Sequence, residues 1–120
     1  MTDKQKAKCK QILEHYGAEN QRRQLCEECA ELIQAAIKYE RTSPNLEAYS
    51  HLCEELADVM IMIEQIRLTV SENAVNSFIN EKIERQMRRI EKIMDDWLGD
   101  NAEPRKKYLK NPCKIRENLL

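Results

Sequence analysis

Residues 24–32 (QLCEECAEL) recur almost unchanged as residues 51–59 (HLCEELADV). Leu25, Cys26, Glu27, Glu28, Ala30 and Glu31 return as Leu52, Cys53, Glu54, Glu55, Ala57 and Asp58. Each copy holds an acid-x-x-acid step, Glu28 with Glu31 and Glu55 with Asp58. Acids three apart share one face of a helix. Two such helices packed antiparallel bring four carboxylates together. Carboxylates crowded in this way repel one another unless a cation lies between them. The repeat therefore asks for a helical fold with the two copies side by side.

The rest of the chain agrees with helices. Thr2 and Gln5 form a capping box for a first helix running to about Tyr16, with Ile12, Leu13 and Tyr16 inward and Gly17 as its stop. A second helix is predicted from Glu19 to Arg41, with an apolar stripe of Leu25, Cys29, Leu32, Ile33, Ala36 and Ile37. Ser43 and Pro44 read as the N-cap and first turn of a third helix that reaches Val70. Its segment from Val59 to Ile63 (VMIMI) is apolar all round, a pattern of burial on more than one side and a hint of an oligomer interface. A fourth helix is predicted over 74–98, with Ile79, Ile83, Met87, Ile90, Met94 and Trp97 as its stripe. The expected architecture is an all-α four-helix bundle over residues 1–99, with a polar tail or lid over 100–120.

Size and charge narrow the function classes. A chain of 120 residues suits one domain, and a core this small favours sharing between subunits. The formal net charge of -1 advertises neither nucleic acid nor membrane. No apolar run approaches the roughly 20 residues that span a bilayer. The opening MTDKQKAKCKQ lacks an apolar signal core, and 5 scattered cysteines suit a reducing compartment, so a cytoplasmic protein is expected. Cys26-x-x-Cys29 has no second cysteine pair or histidine pair to complete a zinc site and reads as small helix-packing residues.

Wheel angles refine the acidic repeat. Counted from Leu25, Glu28 and Glu31 fall at about 300° and 240°, and Glu55 and Asp58 take the same angles counted from Leu52. Both pairs flank the apolar stripe, and the basic residues Lys38, Arg41 and Arg67 lie more than a turn away. An all-oxygen ligand set of Glu28, Glu31, Glu55 and Asp58 suits Mg²⁺, with Mn²⁺ as a second choice, whereas zinc and copper prefer His or Cys. Neither His15 nor His51 follows an acid by three residues, which disfavours a di-iron bundle. Carboxylate-bound Mg²⁺ serves mostly phosphate chemistry, and Lys82, Arg85 and Arg89 cluster on one flank of the fourth helix as candidate phosphate ligands.

Glu28-x-x-Glu31, then 23 residues, then Glu55-x-x-Asp58 resembles the E-x-x-E…E-x-x-D signature of the MazG-like all-α nucleoside triphosphate pyrophosphohydrolases, relatives of the dimeric dUTPases. Asn80-Glu81-Lys82-Ile83-Glu84-Arg85 resembles the N-E-K-F-E-R block that follows the acids in that family, with Ile83 and Met87 where many members carry Phe. The resemblance spans roughly residues 12–98. It implies a bundle working as a dimer or tetramer, and Mg²⁺-dependent hydrolysis of a nucleoside triphosphate to the monophosphate and pyrophosphate. By the resemblance, Glu28, Glu31, Glu55 and Asp58 hold the metal. One of these acids or Glu27 activates water. Lys82 and Arg85 bind phosphate, Asn80 orients the nucleotide, and Gln24 touches sugar or base. The alternative from the residues alone is a non-catalytic helical module that binds nucleotide or a protein partner.

Overall fold

The computed structural model describes residues 1–98. Four helices follow one another: α1 (Asp3–Tyr16), α2 (Ala18–Thr42), α3 (Leu46–Arg67) and α4 (Glu72–Leu98), with no strand among the described residues. The fold class is all-α. The chain divides into two compact units, Met1–Asn73 and Ala74–Leu120. The polar tail expected over 100–120 lies outside the described residues.

In the first unit each helix end has a local cause. Thr2 and Gln5 form the reciprocal capping box of α1. Gly17 ends α1 and begins α2: its N–H donates to the Leu13 carbonyl at 2.8 Å, and its own carbonyl accepts from the Gln21 N–H at 3.1 Å. Its φ of 84° lies where a side chain is strained, so the double duty falls to glycine. The start of α3 differs from expectation. Asn45, not Ser43, is the N-cap; its side chain accepts from the Ala48 N–H at 2.9 Å. Asn is among the strongest N-cap residues, and here it lies immediately before the helix. Helix α3 also ends three residues sooner than the Val70 boundary, as the Leu68 and Thr69 N–H groups turn back to the carbonyls of Gln65 and Ile66.

Helices α2 and α3 form an antiparallel hairpin. Gln21 pairs with Gln65 near one end, while Glu28 and Glu31 meet Glu55 nearer the middle. Ala35, Ala48, Val59 and Met62 are buried along the hairpin, and Leu25, Leu32 and Leu52 are half-buried. Each fully buried Val or Met side chain contributes about 1.5–3 kcal/mol. Gln21 and Gln65 interrupt this apolar contact at low cost because they are hydrogen-bonded: Gln21 Nε2 donates to Gln65 Oε1 at 2.6 Å, and Gln65 Nε2 donates to the Ile61 carbonyl at 3.4 Å. Helix α1 adds Cys9 to the core.

The apolar stripe of α2 is narrower than its sequence suggests. Ile33, Ala36 and Ile37 are exposed, and Ala35 takes the buried place. The VMIMI segment behaves likewise: Val59 and Met62 are buried, whereas Met60, Ile61 and Ile63 are exposed. Within the first unit α3 packs mainly against α2 and less extensively against α1, which leaves part of an all-round apolar helix uncovered. Measured from Glu28 and Glu55, Ile33, Ala36, Leu56, Met60 and Ile63 fall about 80–140° to one side, and Glu31 and Asp58 about 60° to the other. In an antiparallel pair equal angles lie on the same side. The hairpin therefore has an apolar edge and an acidic edge. In α4, Met94 is buried and Met87 and Ile90 are half-buried, while Ile79, Ile83 and Trp97 of the expected stripe are exposed.

Replacement of Asn45 by Ala removes the α3 cap and is expected to lower stability by about 1 kcal/mol. Chemical denaturation of the two proteins reads the difference directly.

Candidate metal centre

Three carboxylates meet on the acidic edge of the hairpin. Glu28, Glu31 and Glu55 each offer a carboxylate oxygen within 4.8 Å of the others. Glu28 and Glu31 stand on successive turns of α2, and Glu55 faces them from α3. Helical spacing and the antiparallel pairing together place them. Asp58, half-buried and one turn beyond Glu55, is not part of this tight group. Its charge still reaches Glu55. Glu27 is exposed and lines a neighbouring cleft. Asn80, Lys82 and Arg85 are exposed residues of α4, in the second unit.

Glu55 is the unusual member. Glutamate is seldom buried without a partner, yet this residue is only 7% exposed. His51 Nδ1 lies 3.3 Å from Glu55 Oε1, one turn back on α3, and 3.9 Å from a Glu54 oxygen. Glu55 Oε2 is buried with no hydrogen-bond partner among the described residues. Burial pushes the Glu55 carboxyl up from the ordinary carboxylate range, and the negative charge of Glu31 adds to the rise. His51 opposes the shift, while Asp58 and Glu54 add to it further.

Gln24 supports the cluster from the same helix. Its Nε2 donates to Glu28 Oε1 at 2.7 Å, fixing that carboxylate from one turn away. Sequence reasoning places Gln24 on the correct flank but passes over His51. The signal was present, since His51 precedes Glu55 by four residues and so shares its face.

The cluster fits a hard divalent cation. All donors are carboxylate oxygens, they lie within 4.8 Å of one another, and one buried carboxylate oxygen has no hydrogen-bond partner among the described residues. Comparison of the chain with protein-family models, with curated proteins and with solved structures yields no match. The chemistry of the centre therefore rests on its own geometry.

The raised Glu55 pKa has a direct consequence for stability. Between the ordinary carboxylate range and the raised value, the folded protein keeps a proton that the unfolded chain has released. Stability of the metal-free protein thus falls as pH rises through that window. At neutral pH, Glu55→Gln is expected to raise Tm, because an amide can donate to Glu28 or Glu31 where the carboxylate repels them. Below about pH 4, where both states are protonated, the gain shrinks. Thermal unfolding of both proteins in chelator across this range measures the effect.

Proposed function

We propose that this protein is a Mg²⁺-dependent nucleoside triphosphate pyrophosphohydrolase. The observation that carries the proposal is the buried Glu55 carboxylate facing Glu28 and Glu31 across the α2–α3 hairpin, with its Oε2 lacking a hydrogen-bond partner among the described residues. Glu28, Glu31 and Glu55 would hold the metal, with Asp58 one turn away to complete or adjust the set. When bound, Mg²⁺, or Mn²⁺ in its place, supplies charge neutralisation for phosphate oxygens and lowers the pKa of water. The resemblance of the paired acidic steps and of the Asn80–Arg85 block to MazG-like enzymes supplies the reaction. Water cleaves the α–β phosphoanhydride, giving a nucleoside monophosphate and pyrophosphate.

The chain's own groups divide the remaining work. Gln24 orients Glu28 through its 2.7 Å bond. His51 approaches one Glu55 oxygen and leaves the other to the cluster. A carboxylate of the cluster accepts a proton from the attacking water. Lys82 and Arg85 are proposed for the phosphates and Asn80 for the nucleotide, all from α4. Such a role fits clearance of unwanted nucleotides from the cellular pool.

The apolar edge of the hairpin supports self-association into a dimer or tetramer of four-helix-bundle type. Leu56, Met60 and Ile63 remain about half exposed there, at 48%, 51% and 46%. Surfaces of this kind on small helical proteins favour a protein partner, and the homo-oligomer is the partner proposed here.

Two measurements test the proposal. Pyrophosphate release from a panel of deoxynucleoside triphosphates should require Mg²⁺ or Mn²⁺ and stop in chelator. Glu55→Gln should lower it by more than the about 10–100-fold typical of groups behind the metal ligands, with helical circular dichroism unchanged. Release from no nucleotide under any divalent cation overturns the enzyme assignment. Light scattering should give a multiple of the 14.2 kDa chain mass, and Met60→Glu should reduce it to a single chain.

A further inference from the structure

Each copy of the acidic repeat opens on a polar residue, Gln24 in the first and His51 in the second. Each stands four residues before the first acid of its step, Glu28 or Glu55, and so one turn away on the same helix face. Gln24 Nε2 donates to Glu28 Oε1 at 2.7 Å. His51 Nδ1 lies 3.3 Å from Glu55 Oε1. The same approach of a side-chain nitrogen to a cluster carboxylate thus occurs twice. Because α2 and α3 run antiparallel, Gln24 stands on the Gln21–Gln65 side of the cluster and His51 on the side of the α2–α3 turn. The two nitrogens bracket the carboxylates from opposite ends.

Glu55 is the acid that most needs such a hold. Its side chain is 10% exposed, and Oε2 is buried with no hydrogen-bond partner among the described residues. A glutamate side chain turns about several bonds, and the charge of Glu31 repels this one. An imidazole carrying its proton on Nδ1 donates to Oε1 and opposes that turning. Glu54 is the weaker competitor, with its nearest oxygen at 3.9 Å. The potential ligand atoms within 4.8 Å of one another belong to Glu28, Glu31 and Glu55, and the imidazole is outside that group. His51 therefore acts through Glu55, not on an ion directly. An exposed His–Glu pair on an ordinary helix face contributes little. Here the acid is buried, and a contact to a buried group counts for more.

We propose that His51 is a positioning residue of the metal centre, the counterpart on α3 of Gln24 on α2. It holds Glu55 by Oε1 and leaves Oε2 for a hard divalent cation. This role rests on the metal centre of the proposed hydrolase. It has a specific consequence. What residue 51 must supply is a nitrogen donor that reaches one turn along the helix, and glutamine already does this at residue 24. Glutamine should therefore replace His51, and alanine should not.

Calorimetric titration of Mn²⁺ into chelator-treated unaltered protein, His51→Ala and His51→Gln tests the role, with far-ultraviolet circular dichroism as the check on folding. Alanine is the strongest helix former, and the His51 side chain is 47% exposed, so α3 should remain intact. His51→Ala should weaken Mn²⁺ binding by about 10–100-fold, the range for groups behind metal ligands, and His51→Gln should stay within about threefold of the unaltered protein. Binding to His51→Ala as tight as to the unaltered protein overturns the role. Equal loss in both variants overturns it too, because a donor amide would then fail where it is expected to serve. Absence of saturable binding to the unaltered protein removes the metal centre and this role with it. If Mn²⁺ binding follows the expected pattern while no deoxynucleoside triphosphate releases pyrophosphate, the positioning role stands and the hydrolase reading alone fails.

Discussion

A carboxylate buried in the contact between two helices is the constraint around which this structure is arranged. Burial of an ionised group is costly unless it is paired and hydrogen-bonded. Glu55 has an imidazole near one oxygen and no hydrogen-bond partner for the other among the described residues, with two further carboxylates close by. The antiparallel packing of α2 on α3 concentrates negative charge along one edge, and the apolar contact between the helices offsets the repulsion. A local instability of this kind is common where a protein holds a functional group ready for a ligand.

The two edges of the hairpin divide the labour. The acidic edge carries the cluster, its supporting Gln24 and the neighbouring cleft. The opposite edge carries Leu56, Met60 and Ile63, which suits burial against another chain. The Gln21–Gln65 pair fixes the helix register, because sliding either helix by a turn would strand two buried amides.

Much of this was legible in the residues. The capping box of Thr2 and Gln5, the stop at Gly17 and four helices follow from local chemistry that tertiary context leaves alone. Equal wheel angles for the two acidic steps anticipate that Glu28, Glu31 and Glu55 share an edge. Other features depend on partners that a single helix does not reveal. Ile33 and Ile37 look like core by spacing, but the contact face of α2 centres on Glu28, Leu32 and Ala35 and leaves them outside. Asn45 displaces Ser43 as the cap because the chain enters α3 two residues later than Ser-Pro suggests. Asp58 shares the acidic edge but stands a turn from the tight group, since a repeat in sequence does not fix equal distances in space.

Calorimetric titration of Mn²⁺ into the chelator-treated protein tests the central claim most directly. Saturable binding that is lost in Glu55→Gln, while the variant stays helical and folded, is the result the carboxylate cluster predicts. Absence of saturable binding to the unaltered protein, or equal binding to the variant, would contradict it.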